Sequence, residues 1–395
     1  MNKQTIRDVD VAGRRVLVRV DFNVPLDGTR IADDTRIRAV LPTIAALREA
    51  GARIGLLSHL GRPKGRVVEQ LRLRPVAARL GELLGIVVAT APDCVGPAAE
   101  TVMASLQPGE VALLENVRFH PEEERNDPTF AQALALAADI YVNDAFGAAH
   151  RAHASTEGIA RHLPAVAGLL LERELAIMGA ALERPGRPFV AVIGGSKVSD
   201  KTEALGDLLE KVDTLALGGG VANTFLRAQG CDVGRSLHEP DQIGLARELL
   251  ATARQRGQGQ GLLLPTDVVV ADDVRAEAAH EVVMVSAVPA DRLIVDIGPQ
   301  SAAEFAVAVE AAQTVIWNGP MGVAEIKPFA AGTWTVAEAM AHCPGTTIAG
   351  GGDSIAALEQ AGVSDRITHI STGGGASLEF LAGRPLPGVV AIADR

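Results

Sequence analysis

Phe189-Val190-Ala191-Val192-Ile193-Gly194-Gly195-Ser196-Lys197-Val198-Ser199-Asp200-Lys201 is the stretch whose reading decides the fold. Its first five residues form an unbroken apolar run, the pattern of a strand buried on both faces of a parallel sheet. Gly194 and Gly195 let the chain turn tightly at the strand end. The residues after them are expected to open a helix, whose N-terminal N–H groups favour an anion. Lys197 and Lys201 are four apart, so on such a helix they share one face. The chain holds only six lysines against thirty-one arginines, which makes this pair conspicuous. The stretch reads as strand, glycine turn and helix, built for phosphate.

The same alternation runs outward in both directions. Short β-branched runs at 16–20, 53–57, 86–89, 111–114 and 140–142 read as strands in the first half. Runs at 189–193, 215–217, 262–264, 282–285, 315–317 and 346–349 do so in the second. Ala/Leu-rich segments between them, such as 38–50, 75–84 and 129–138, read as helices. Strands spaced by helices predict βαβ units with right-handed crossovers, so the fold class is α/β with parallel sheets covered by helices on both faces. At 395 residues two such Rossmann-like lobes are expected. A helical pattern over 169–182, broken by Pro185-Gly186-Arg187-Pro188, reads as the hinge helix joining them. Residues 255–261 (QRGQGQG) read as an exposed turn.

Composition excludes several classes. Hydrophobic content of 48% and charged content of 22% are globular values. No apolar run approaches a membrane span and no signal-peptide pattern opens the chain. Cys94, Cys231 and Cys343 are scattered, with no CxxC pair, which argues for a reducing compartment, the cytoplasm. The net charge of −11 lies wholly in residues 188–395, with 14 basic and 25 acidic side chains. Residues 1–187 balance 23 against 23 yet hold twenty-one of the arginines. An acidic protein is a poor nucleic-acid binder. An Arg-rich but balanced half points instead to a pocket for a small anion.

In open α/β sheets ligands bind beyond the carboxyl ends of the strands, so polar residues there are the candidates. In the first half these are Asp21 and Asn23, then His59 and Arg62, then Arg118, then the loop reaching His150, Arg151 and His153. Arg36 opens the helix after the first loop. Asp21 and Asn23 are two apart and in an extended chain point the same way, a pairing suited to a hydroxylated ligand. Arg suits bidentate recognition of phosphate and carboxylate. Asp21 and Asn23 also have a plainer reading as an Asx turn or helix cap, and a lone Arg as a surface residue; His150 and His153 suggest a metal, but no third ligand of matching spacing stands with them.

The second half has further Gly-rich strand ends: Gly218-Gly219-Gly220, Asn318-Gly319-Pro320-Met321-Gly322 leading to Glu325, Gly350-Gly351-Gly352-Asp353-Ser354, and Gly373-Gly374-Gly375. Absent side chains allow close backbone approach to a phosphate or a flat base. Asp353 at a helix start suits Mg²⁺ bridged to phosphates, or else a helix cap. No stretch fits GxxxxGK[ST], and none gives a dinucleotide GxGxxG with its distal acidic residue.

Val16 to Pro25 (VLVRVDFNVP) resembles the signature of the phosphoglycerate kinase family. The resemblance continues through Ser58 to Pro63, Glu115 to Phe119, Asp144 to Ser155, Gly194 to Lys201, Trp317 to Glu325, Gly350 to Ser354 and Gly373 to Gly375, in the family's order and nearly end to end. Ala148 and Ser196 stand where many relatives have Thr and Ala. The resemblance implies reversible phosphoryl transfer from 1,3-bisphosphoglycerate to ADP, giving 3-phosphoglycerate and ATP, in glycolysis and gluconeogenesis. It implies an N-terminal domain, 1–168, that binds the acid through Asp21, Asn23, Arg36, His59, Arg62, Arg118 and Arg151. A linker and hinge would span 169–188. The nucleotide domain, 189–380, would use Gly194, Gly195, Lys201, Gly218, Gly219, Asn318, Pro320, Gly322, Glu325, Gly351, Gly352, Asp353 and Ser354. Asp353 would bind the nucleotide's Mg²⁺. Residues from about 381 to 395 would return to the first domain. Arg36, Lys197 and the helix start at Gly373 and Gly374 would neutralise the transferring group, in line, after domain closure. A monomer with no nucleic-acid or membrane partner is implied. Two rivals remain at this stage, a Rossmann-like oxidoreductase and a non-catalytic phosphometabolite-binding protein.

Overall fold

The computed structural model describes residues 2–28, 30–199, 201–256 and 261–395. The chain divides into two compact units, Met1–Ala176 with Pro385–Arg395, and Ile177–Arg384. The division falls within the helix Leu169–Glu183.

The strands of the first unit are β1 (Arg15–Arg19), a hairpin of β2 (Leu26–Asp27) and β3 (Arg30–Ile31), β4 (Arg53–Leu57), β5 (Ala89–Thr90), β6 (Val111–Leu113), β7 (Ile140–Asn143) and β8 (Ala165–Ala167). Six of them form a parallel sheet in the order β5-β6-β4-β1-β7-β8. β1 is central, and its side chains alternate between two cores. Val16, Val18 and Val20 pack with Ile37, Val40 and Ile54 on one face. Leu17 packs with Leu57, Leu114 and Tyr141 on the other. Covered faces on both sides explain why the strand reads as continuously apolar. The chain builds outward from β1 through β4 and then returns to place β7 on its other side, so the strand order reverses beside β1. The end of the chain belongs to this unit. Arg395 N–H donates to the Asn2 carbonyl at 2.8 Å, and Asn143 Nδ2 to the Gly388 carbonyl at 2.9 Å.

The second unit holds β9 (Phe189–Ile193), β10 (Thr214–Leu217), β11 (Gly261–Leu263), β12 (Asp267–Ala271), β13 (His280–Met284), β14 (Leu293–Ile297), β15 (Thr314–Asn318), β16 (Thr346–Gly350) and β17 (His369–Ser371). Its parallel sheet runs β11-β10-β9-β15-β16-β17. The switch point lies between β9 and β15, directly after which come Gly194 and Gly319. Val190, Val192 and Trp317 of these central strands pack with Phe305, Val336 and Met340.

Several local expectations need correction. The helix after β9 begins at Thr202, so Lys197 and Lys201 do not share a helical face. The reason is local. Gly195 sits at φ 104°, and both the N–H and the hydroxyl of Ser199 donate to Glu239, at 2.8 and 2.5 Å. These bonds hold the loop out of helical register. Residues 86–88 are not strand, because Ile86 N–H caps the preceding helix at the Gly81 carbonyl and Val87 is exposed. Residues 282–284 belong not to a parallel sheet but to an antiparallel one, β13-β12-β14, and Val285 opens a short 3₁₀ turn. The side chains of β13 are mostly exposed, so it lacks the two-sided burial a parallel strand needs. Strands β2, β3, β8, β12, β14 and β17 lie outside the runs read above as strands. Asp200 and residues 257–260, part of two segments read above, lie outside the described residues.

Candidate functional site

In the first unit the carboxyl ends of β1, β4, β6 and β7 converge on one edge of the sheet, and the expected anion-binding residues follow them. Arg36 stands in the first turn of the helix Thr35–Glu49, and its Nη1 donates to Asp21 Oδ2 at 3.0 Å. Asp21 Oδ1 accepts the Asn23 N–H at 3.1 Å. Asn23 Oδ1 in turn accepts the Gly61 N–H at 2.8 Å, so the amide donors of Asn23 are what it has left to offer a ligand. Burial disfavours the Asp21 carboxylate, yet the Arg36 and Arg19 guanidiniums nearby hold it below its ordinary range.

His59 is buried, and its Nδ1 lies 3.1 Å from Arg19 Nη2. A guanidinium only donates, so Nδ1 must accept and the ring proton must sit on Nε2. Burial, reinforced by Arg19, Arg118 and Arg36, drives the His59 pKa well below its usual value. His59 is therefore a neutral donor at physiological pH. Arg118 is buried too. Its Nη1 donates to the Gly61 carbonyl at 3.0 Å, and burial with Arg19 nearby lowers it to about 10, still cationic at neutral pH. Arg151 is exposed and donates from Nε to His150 Nε2 at 3.1 Å. Burial, then Arg151, lowers His150 to about 4. Burial, then Arg118, lowers His153 to about 3. Among the described residues these two histidines belong to no cluster of three metal donors. Arg62 is exposed in the loop after β4. The structure thus brings Asp21, Arg36, His59, Arg118 and Arg151 into one electrostatic neighbourhood.

Behind this surface lies a buried network that the candidate residues omitted. Arg19, fully buried, donates from Nε to Ser155 Oγ at 2.7 Å, and to the Val20 carbonyl. Ser155 donates from Oγ to Glu123 Oε1 at 2.6 Å and from N–H to Oε2 at 2.9 Å. Arg19 shares Leu17's face of β1. Its signal was legible: an Arg flanked by Val18 and Val20 within the apolar run 16–20 demands a buried partner.

In the second unit the Gly-rich turns follow β9, β10, β15, β16 and β17 at one sheet edge. Gly194 and Gly319 face each other so closely that a Cβ on Gly194 would overlap the Pro320 carbonyl. Gly194 N–H donates to the Asn318 carbonyl at 3.0 Å, and Gly195 N–H to the Pro320 carbonyl at 2.9 Å. Lys201 Nζ donates to the carbonyls of Gly194 and Asn318, tying the two loops at the switch point. Lys197 is exposed in the same loop. Ser354 Oγ accepts the Gly319 N–H at 2.7 Å, and Asn318 Nδ2 reaches the Gly374 carbonyl at 3.5 Å. A cleft of about 240 Å³ opens here, lined by Gly195, Gly219, Pro320, Gly322, Glu325 and Asp353 among others. Asp353 is exposed in the first turn of the helix Gly352–Gln360, where Gly351 is the cap, so its carboxylate does not serve as the N-cap. Buried Asp296 forms part of the cleft wall. It accepts the N–H groups of Ile297 and Gly332 at 2.9 and 2.8 Å, and burial raises it to about 7.

An Arg/His-rich strand-end edge in one α/β unit and a glycine-lined cleft at the switch point of another are the arrangement expected of a two-unit phosphotransferase. Comparison with known proteins gives the family. The phosphoglycerate kinase family model matches residues 6–384. Phosphoglycerate kinases of Moorella thermoacetica and Roseiflexus castenholzii are 60% and 59% identical to it, each over the full length of both chains. The structure of phosphoglycerate kinase from Coxiella burnetii superposes with a TM-score of 0.85 at 41% identity, and that from Pyrococcus horikoshii with 0.86 at 34%, each covering 98% of both chains. The chain belongs to the phosphoglycerate kinase family. Among the described residues no helix is long and apolar enough to cross a membrane.

Proposed function

We propose that the chain transfers a phosphoryl group reversibly between 1,3-bisphosphoglycerate and ADP, holding the acid substrate on its first unit and the nucleotide on its second. The convergence of Arg36, His59, Arg118 and Arg151 at one strand-end edge carries the first half of this reading. A ligand bearing both phosphate and carboxylate needs several fixed donors, and neutral His59 supplies one without adding charge. Arg62, exposed beside this edge, would reach the ligand's outer charge. Asp21 and the amide of Asn23 would take its hydroxyl. The glycine-lined cleft with Glu325 at its rim carries the second half. Gly218, Gly219 and Gly322 let the loops that frame the cleft close on one another, and Gly352 leaves open space. The backbones of these glycines and of Gly351 would meet the base and phosphates, Glu325 would accept from ribose hydroxyls, and Lys201 holds the loops together.

The acceptor oxygen is ionised in either direction, as carboxylate or phosphate, so no general base is required. Rate then comes from positioning and from neutralising charge on the transferring group. Arg36 and Lys197 are the cations proposed for that task, with the helix start at Gly373 and Gly374 as a third contributor. Asp353, an exposed carboxylate in a helix's first turn beside the cleft, is a hard oxygen donor that fits Mg²⁺, which would neutralise nucleotide phosphate charge there. The cytoplasm is the setting consistent with three scattered free cysteines.

A coupled assay tests the reading. ATP and 3-phosphoglycerate should be consumed together, with the bisphosphorylated product reduced by an added dehydrogenase at the expense of NADH. Turnover with ATP but without 3-phosphoglycerate, or none with both, would refute it.

A further inference from the structure

We propose that Asp93, Cys94 and His120 form a binding site for a divalent cation of borderline softness, with zinc the best match, separate from the substrate and nucleotide sites. One ligand atom from each, a carboxylate oxygen, the thiol sulfur and an imidazole nitrogen, all lie within 4.8 Å of one another. Asp93 and Cys94 sit in the loop between β5 and the helix Gly96–Ser105, and His120 lies directly before the short helix Pro121–Glu124. Two separate segments of the first unit are thus folded onto one point.

The donors are held in place. Cys94 is buried, in a cluster with Leu114, Val117 and Phe130. The His120 ring packs on Phe130 with centroids 5.0 Å apart. Asp93 Oδ1 accepts the Cys94 N–H at 2.6 Å and stands 2.7 Å from His120 Nε2. Thiolate, imidazole and carboxylate together are the zinc donor set, and the thiolate disfavours Mg²⁺ and Ca²⁺. With metal bonds of about 2.0–2.3 Å in tetrahedral array, oxygen and nitrogen would stand roughly 3.4 Å apart. The cation would therefore replace the proton between Asp93 and His120 after a small outward shift of Asp93. Its side chain, 45% exposed, has the freedom to make that shift. His120 is 28% exposed, so the solvent side stays open for water as the fourth ligand. A plain Asp–His ion pair accounts for two of the three groups and apolar packing for Cys94, whereas a bound cation accounts for the meeting of all three donor atoms at one point.

The test titrates the full-length, tag-free chain with Co²⁺ as a spectroscopic stand-in, and with Zn²⁺ against a chromogenic chelator. One equivalent of Co²⁺ should give a thiolate-to-metal charge-transfer band and tetrahedral visible bands, unchanged by excess Mg²⁺. Cys94→Ser should abolish the thiolate band, while Cys231→Ser and Cys343→Ser keep it. His120→Ala and Asp93→Asn should each weaken zinc by more than about tenfold. Asp93→Asn keeps an acceptor for the Cys94 N–H, so it decides the matter if Cys94→Ser fails to fold. Absence of the thiolate band, its survival in Cys94→Ser, or parental zinc affinity in Asp93→Asn and His120→Ala would overturn the proposal.

Discussion

Replacing Arg19 with Met should cost the first unit about 3–5 kcal/mol, the range for removing one partner of a buried charged network. Arg19 is fully buried and donates to Ser155, to the Val20 carbonyl and to His59. Met fills similar volume but leaves these acceptors unmet. It also removes the cation that offsets Glu123, which is fully buried and whose carboxyl burial already pushes up. Glu123→Gln removes the stranded charge, so the double variant should lose less than the sum of the single ones. A coupling of about 1–3 kcal/mol is expected for residues in one network. Urea unfolding provides the assay. The single tyrosine, Tyr141, lies in the first unit and donates to the Ser155 carbonyl at 2.8 Å, whereas both tryptophans, Trp317 and Trp334, lie in the second. Tryptophan emission therefore follows the second unit alone, while far-ultraviolet circular dichroism follows both, so a transition seen only in the dichroism belongs to the first unit, and each transition is fitted by itself. A loss below about 1 kcal/mol for Arg19→Met, or strict additivity with Glu123→Gln, would refute the network's role.

Further outcomes follow from the two sites. Lys197→Ala and Arg36→Ala should each reduce turnover by roughly 10³-fold with little change in melting temperature, and steady-state assays of folded variants within a few-fold of the parent would exclude that role. Lys201→Ala should instead raise the KM for nucleotide, because Lys201 joins the Gly194 and Asn318 loops; an effect confined to the acid's KM would contradict this. Asp296 is raised from 3.8 to about 7, so the native state keeps a proton that the unfolded chain releases. Its stabilising contribution is complete below about pH 4 and is lost as pH rises through 7, at up to about 1.4 kcal/mol per pH unit. Denaturant melts should show that slope from about pH 4 to 7 and a plateau above it, and Asp296→Asn should flatten it.

The alternation of apolar runs and Ala/Leu helices was enough to read two parallel α/β sheets, because βαβ units bury both faces of each strand. The boundaries of the helix Leu169–Glu183 and of β9 were legible for the same reason. What escaped was set by contacts distant in sequence. Ser199 is tied to Glu239, forty residues away, and that tie delays the helix expected at Lys197. The strands β12, β13 and β14 carry the same β-branched residues as the parallel ones, and only exposure of β13 reveals a different sheet. The candidate residues were placed at strand ends by a rule of topology, and the structure sets most of them there. Local spacing did not show that Asn23 and Ser354 give their oxygens to backbone N–H groups, or that Lys201 holds carbonyls. Arg19 was visible as an anomaly in β1, but its partners Ser155 and Glu123 lie more than a hundred residues on.

The division of ligands between the units is tested most directly by calorimetric titration of Arg36→Ala and Asp353→Ala, each with 3-phosphoglycerate and with ADP plus Mg²⁺. Arg36→Ala should weaken the acid and leave the nucleotide at parental affinity, and Asp353→Ala should do the reverse. Equal loss of both ligands in either variant would contradict the account.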